Sequence, residues 1–241
     1  MSALGGDGHA AALRAFGAKH RPKAIVIVSA HWQTAGPLRV TSWNSAPLVY
    51  DFGGFPEELY QLTYPAPGSP ALAARVAEAL SGVQAETRRG LDHGAWVPLR
   101  LAWPEAEIPV VEVTLPEIEP EDLFRLGRTL RPLREEGVLV AGSGGIVHNL
   151  RRVHFQDKDA PVDSWAAEFD GWIQQRLAAR DREALFAYRE QAPFASLAVP
   201  TTEHFDPLFV ALGAARSGEN ANLVYEGFHY GNLSMRTLAW A

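Results

Sequence analysis

The sequence contains no cysteine among its 241 residues. This absence excludes disulfides, cysteine-ligated zinc and thiol catalysis, and it fits a cytoplasmic protein. No run approaches the ~20 consecutive apolar residues that a membrane-spanning helix needs. The first twenty residues also lack the basic-then-apolar layout of a signal peptide. The sequence therefore predicts no membrane association.

Motifs for nucleic acids, phosphates and serine hydrolysis are missing as well. The formal net charge is -6 and no cluster of lysine and arginine of the nucleic-acid type is present, so we expect no DNA or RNA partner. The "SGG" stretch at 143–145 lacks the spacing and the Lys-Ser/Thr of a phosphate-binding loop. No Gly-x-Ser-x-Gly elbow supports a serine hydrolase.

What the sequence does contain is an alternation of buried strands and amphipathic helices. The predicted strands are "KAIVIVS", "PLRVTS", "IPVVEVTL", "VLVAGSGG" and a closing pair, "NLVYEGF" and "LSMRTLAWA". The predicted helices are "HAAALRAFGAKH", "GFPEELYQL", "SPALAARVAEALSG", "EPEDLFRLGRTLRPLREEG" with a kink at Pro132, "DSWAAEFDGWIQQRLAARD" and "EHFDPLFVALGAAR". This pattern predicts one α/β domain over residues 1–241, a three-layer α/β/α sandwich with a mostly parallel central sheet.

Two of the buried strands run through small residues into a histidine. His31 follows "IVIVSA" and His148 follows "VLVAGSGGIV". Sites in open sheets gather outside the carboxyl ends of the strands, so we expect these two side chains to meet. A single histidine after a strand is more often a packed or capping residue, but two in the same topological position favour a site. Any transition-metal site in this cysteine-free chain must use histidine with carboxylates.

Two further histidines lie in polar segments that are candidates for the same site. His93 lies in "LDHGAW", ahead of an apolar stretch, and His204 lies in "PTTEHFDPLF". In the second segment we expect a threonine to cap a helix and to place His204 in its first turn. Imidazole is the commonest metal-binding side chain and the usual acid or base near neutral pH.

Seven motifs in order resemble the DOPA 4,5-dioxygenase group. They are "VSAHW", "DFGGFPEELY", "YPAPGSP", "LDHGAW", "VHNL", "TTEHFDPL" and "GNLSM". That group belongs to the class III extradiol ring-cleaving dioxygenases, the protocatechuate 4,5-dioxygenase superfamily. Each motif alone is weak, but seven in sequence span nearly the whole chain and are specific.

The resemblance implies a non-haem Fe(II) centre that uses O₂ to cleave a catechol ring beside one hydroxyl; some bacterial relatives hold zinc instead. Carried over by motif, His31 and His204 are metal ligands, and His148 is a ligand or the acid/base group. His93 lines the substrate pocket and can hydrogen-bond the catechol or bound oxygen. The expected catalytic residues are therefore His148 and His93, with His31, His148 and His204 at the metal.

The chain departs from the family pattern at its beginning. Relatives begin with a short strand that ends in His-Gly-Ser-Pro, and that histidine is a metal ligand. Here the chain begins "MSALGGDG", so the first strand and its ligand are absent. We expect a start codon assigned too far downstream, since the loss of an inner strand would expose an apolar sheet edge.

Other functions stay open at this stage. A non-catalytic or regulatory member of the same fold would fit the missing ligand, and a zinc-dependent hydrolase would fit a histidine site with an open position. Trp32, Tyr50, Phe52 and Trp96 lie beside the motifs and either stack on a planar ring or fill the core. The sequence leaves open the identity of the catechol, the choice of iron or zinc, and a homo-oligomer.

Overall fold

A mixed, mostly parallel sheet forms the centre of the molecule. The computed structural model describes residues 4–45 and 47–241. The strands of this sheet are β1 (Ala24–Thr34), β2 (Arg39–Thr41), β3 (Gln84–Glu86), β4 (Val110–Pro116) and β5 (Val138–Ser143). Their order is β3-β2-β4-β1-β5. β1 is parallel to β4 and β5, β2 is parallel to β3, and only the contact between β2 and β4 is antiparallel. This confirms the predicted α/β fold.

Helices lie on both faces of the sheet. They are α1 (Gly8–Lys19), α2 (Pro70–Leu80), α3 (His93–Ala102), α4 (Pro120–Leu130), α5 (Ser164–Ala179), α6 (Arg182–Phe186), α7 (Tyr188–Gln191), α8 (Ala195–Ala198) and α9 (Pro207–Ala214). Short 3₁₀ helices cover Glu57–Gln61, Arg131–Glu136 and Leu150–Arg152. No helix in the described ranges is long and apolar enough to cross a membrane.

The alternation of side chains along β1 explains why the sheet is covered on both sides. Ile25 and Ile27 pack in one buried cluster with residues of α1 and α3. Val26 and Val28 point the other way and pack with α2, α4, α5 and α9. All four side chains are at most 2% exposed. Burial of each such side chain contributes about 1.5–3 kcal/mol, so an unbroken apolar run stabilises a strand between two helical layers.

Two predicted elements differ from the structure, and several short elements were not predicted. "GFPEELYQL" forms a 3₁₀ helix at Glu57–Gln61 and not an α-helix. The predicted kinked helix ends at Leu130 and continues as the 3₁₀ helix Arg131–Glu136, because Pro132 lacks the N–H that an α-helix interior needs. α3, α6, α7 and α8 were not predicted; α3 contains Pro98, and the others have five residues or fewer.

The last part of the chain forms two small antiparallel ribbons outside the central sheet. β6 (Asn222–Tyr225) pairs with β9 (Thr237–Ala239), and β7 (Phe228–His229) pairs with β8 (Leu233–Ser234). The two predicted closing strands therefore pair with one another, as expected. Neither ribbon adds a strand to the five-stranded sheet.

A groove runs along the outer edge of β5. In the described residues β5 pairs with β1 only. The groove has a volume of about 850 Å³ and lies between β5, α1, α9 and the end of the chain. His204 lines the groove as well as the histidine cluster described next. β5 is thus an edge strand with one side open.

Candidate metal centre

Four histidine rings converge at the carboxyl ends of β1 and β5. The ring centroids of His31 and His93 are 4.0 Å apart, and those of His31 and His204 are 5.2 Å apart. His148 stacks on His204 with a centroid distance of 3.5 Å and an interplanar angle of 5°. The structure therefore brings together all four histidines that the sequence selected.

His31 and His93 come from regular elements. His31 lies inside β1, which continues to Thr34, so the strand does not stop before the histidine as its composition suggested. The pairing of β1 with β4 changes register between Val28 and Gln33, and His31 lies in that irregular part. His93 is the first residue of α3, whose N-cap is Asp92. The backbone geometry of both residues is thus set by the sheet and by a helix start.

His148 and His204 come from the segments that follow β5 and precede α9. The prediction that His204 lies in the first turn of a helix is wrong, because α9 begins at Pro207 and His204 lies in the preceding turn. Proline at the first helical position has no N–H to bond, so the helix starts there and not earlier. The N–H of Gly145 donates to the carbonyl of His204 at 2.7 Å, which fixes the two segments side by side.

Asp51 is a site residue that sequence reasoning missed. Its Oδ1 accepts from the Nδ1 and the backbone N–H of His93, both at 2.9 Å, and its Oδ2 lies 3.2 Å from the Nδ1 of His31. Asp51 opens the quoted motif "DFGGFPEELY". That motif was the available signal, but a loop carboxylate 42 residues from His93 has no periodicity that links the two.

The charges in the site follow from burial and from these contacts. Burial acts to raise the pKa of Asp51, but hydrogen bonds from His31 and His93 hold it well below its usual range. Burial lowers the pKa of His148 to about 3, with further lowering by His204 and His31. The hydrogen bond with His204 lowers the pKa of Glu203 to about 2. At neutral pH the site therefore contains a neutral His148 ring and two ionised carboxylates, Asp51 and Glu203.

One compact group of potential ligand atoms stands out in the described residues. The donor atoms of His31, Asp51 and His93 all lie within 4.8 Å of one another. Two imidazoles and one carboxylate suit a first-row metal such as Fe(II), and the partial exposure of these side chains leaves room for further ligands. This cluster is compatible with a metal site, and it differs from the predicted ligands His31, His148 and His204.

The aromatic side chains beside the motifs divide between core and site. Trp96 is fully buried, and its indole N–H donates to the carbonyl of Val49 at 3.2 Å. Phe52 lies edge-on to His93 with a centroid distance of 5.4 Å. Trp32 is also buried, with the guanidinium of Arg89 5.1 Å from its ring centroid. Of these three rings, Phe52 is the one that borders the histidine cluster.

The sequence matches one protein-family model over most of its length. The model is described as the catalytic LigB subunit of aromatic ring-opening dioxygenase, and it matches residues 5–236. A 4,5-DOPA dioxygenase extradiol of Beta vulgaris is 43% identical over 222 residues, which are 89% of this chain and 81% of that protein. The Escherichia coli K12 protein of the same name is 40% identical over 222 residues, with the same shares covered.

A solved structure has the same fold. The crystal structure of an uncharacterized protein from Escherichia coli K12 aligns with a TM-score of 0.80 and 34% sequence identity. The alignment covers 95% of this chain and 91% of the other. The similarity therefore includes both the central sheet and the helical layers around it.

Proposed function

Because the chain belongs to the LigB family of extradiol aromatic ring-opening dioxygenases, we propose that it cleaves a catechol-type ring with O₂ at the histidine cluster. The observation that carries this proposal is the convergence of His31, His93, His148 and His204, with Asp51 bound to the first two. Both oxygen atoms enter the product as the ring C–C bond beside a hydroxyl breaks. The reaction therefore consumes no external reductant.

We assign the metal to His31, His148 and His204, with Asp51 as the carboxylate that orients His31. The Nδ1 of His31 is directed at Asp51, which leaves the lone pair of Nε2 to bind the metal. A carboxylate behind a metal-binding imidazole fixes its tautomer and ring orientation. Bound Fe(II) supplies open coordination positions that bring the catecholate oxygens and O₂ together.

His148 and His93 are the residues that interact with the hydroxyl protons of the substrate. The ring of His148 is neutral at pH 7 because burial lowers its pKa to about 3, so a ring nitrogen keeps its lone pair free to bind a metal or to accept a hydrogen bond from a catechol hydroxyl. His93 gives its Nδ1–H to Asp51 and keeps Nε2 directed away from that carboxylate. Nε2 of His93 is therefore available to hydrogen-bond a substrate hydroxyl. Phe52, edge-on to His93, supplies an apolar surface for a planar ring.

The relatives' names suggest the first substrate to test, which is 3,4-dihydroxyphenylalanine. After anaerobic reconstitution with Fe(II), we expect about one iron per chain, and oxygen uptake stoichiometric with loss of the catechol absorbance. Unsubstituted catechol and protocatechuate serve as comparison substrates. Retained iron without oxygen uptake on any catechol would contradict the proposal and would favour a non-catalytic protein of this fold.

Two substitutions separate the roles of the histidines. His31→Ala should abolish iron binding, since it removes a ligand. His93→Ala should retain the iron and slow ring cleavage, since it removes only a hydrogen-bond partner of the substrate. If His93→Ala also loses the metal, the compact group of His31, Asp51 and His93 is the ligand set.

A further inference from the structure

Two buried carboxyl groups, those of Glu112 and Asp92, lie next to the strand and the helix that carry His31 and His93. Glu112 is in the middle of β4 and pairs with Ile27 of β1, while Asp92 precedes α3. Both side chains are completely inaccessible to solvent. Buried acidic groups are rare unless they are paired or hydrogen-bonded, so this pair requires a physical explanation.

Asp92 is the charged member of the pair because it has three donors. Its Oδ1 accepts from the hydroxyl of Ser29 at 2.7 Å and from the N–H of Ala95 at 3.1 Å. Its Oδ2 accepts from a guanidinium N–H of Arg89 at 3.3 Å. Both oxygens of Asp92 therefore act as acceptors, and an ionised carboxylate is the form that only accepts hydrogen bonds.

Glu112 has the opposite environment. Both of its carboxyl oxygens are inaccessible, and neither has a partner at good hydrogen-bond geometry. Burial raises its pKa well above the usual value, and the charge and the hydrogen-bonding side chain of Asp92 raise it further. The charge of Arg89 and the backbone N–H of Asp92 act in the opposite direction but are the smaller effects. Two ionised carboxylates cannot hydrogen-bond to each other, whereas a carboxylic acid can donate to a carboxylate.

We infer that Glu112 is a positioning residue: as a carboxylic acid it donates its O–H to Asp92 and thereby fixes the backbone that carries His31 and His93. Asp92 caps the helix whose first residue is His93, through its bond with the N–H of Ala95. Ser29, held by Asp92, accepts from the backbone N–H of His31 at 3.2 Å. The effect on turnover rests on the proposed function, while the protonation of Glu112 and the hydrogen bond do not.

A pair of substitutions isolates the hydrogen bond from the charge. Glu112→Gln keeps a neutral donor of the same shape, and Glu112→Met removes the donor but keeps the length and fills the core. We expect Glu112→Gln to retain the kcat and the metal affinity of the unchanged protein within about twofold. We expect Glu112→Met to lower kcat or metal affinity about tenfold, the lower end of the effect of partners behind metal ligands. Equal losses in both variants, or no loss in Glu112→Met, would overturn the inference.

Infrared spectroscopy tests the same inference without any activity. The difference spectrum between the unchanged protein and Glu112→Gln at pH 7 should show the C=O stretching band of a protonated carboxylic acid that the variant lacks. The presence of only carboxylate bands would refute the assignment, whether or not Glu112→Met folds. A preparation that shows the acid band but cleaves no catechol would contradict the proposed function alone.

Discussion

The role of Asp51 gives the sharpest test of the site. Asp51→Asn keeps the size of the side chain but replaces an ionised acceptor of three N–H groups with one neutral carbonyl oxygen. A hydrogen bond to a charged group contributes roughly 1.5–3 kcal/mol, and the partial exposure of Asp51 reduces this. At least one imidazole loses its partner, so we expect a loss of about 2 kcal/mol in metal affinity, which is roughly 30-fold.

The assay is the dissociation constant of Fe(II), measured anaerobically by competition with a chelator, together with kcat on the best catechol. The matched control is Asp122→Asn, which makes the same change of charge on α4 at an exposed ion pair with Arg125. We expect the control to change the affinity less than twofold, as is typical of surface pairs. Unchanged iron affinity in Asp51→Asn would refute the orienting role, and complete loss of iron would indicate that Asp51 is itself a ligand.

Two further predictions concern stability. Burial lowers the pKa of His9 from 6.5 to about 4, so the unfolded state binds the proton first as the pH falls. Stability should decrease by up to about 3 kcal/mol between pH 6.5 and 4, and His9→Gln should flatten this part of the pH profile in urea titrations; an unchanged slope would contradict the assignment. A Cβ on Gly127 would lie 2.0 Å from the carbonyl oxygen of Val210, so Gly127→Ala should cost about 3 kcal/mol in thermal unfolding. The helical control Gly171→Ala, with nothing within 4 Å of its Cβ, should gain about 0.5–1 kcal/mol; equal effects would refute the close approach.

The parts of the fold that the sequence predicted are those with strong local signals. Long apolar runs produced β1, β4 and β5, and the segment "SPALAARVAEALSG" predicted α2, which begins after its N-cap Ser69. The placement of His31 and His148 at one edge followed from the general rule for parallel sheets. His93 and His204 were selected as candidates from their polar segments, and the motif resemblance assigned them roles. Topology therefore located two of the four histidines, and the motif resemblance placed the other two at the same site.

The remaining features depend on contacts between distant parts of the chain. Asp51 lies in a loop, and only the folded chain shows that it bridges His31 and His93. Glu112 reads as one polar residue in an apolar strand, and its burial beside Asp92 cannot be inferred from "VVEVTL" alone. The register irregularity of β1 around His31 likewise arises from its pairing with β4. Tertiary contacts, not local propensity, determine these features.

The glycines after β5 connect the packing of the fold to the geometry of the site. Their sequence resembles a phosphate loop only superficially, and the structure gives a different reason for their small size. A Cβ on Gly144 would lie 2.1 Å from the carbonyl oxygen of His204, closer than any side chain tolerates. The neighbouring N–H of Gly145 bonds that same carbonyl. Only glycine lets the segment before α9 approach β5 so closely, and this approach is what brings the ring of His204 onto that of His148. The small residues that made the strand end look featureless are thus part of the site, because they set the distance between its histidines.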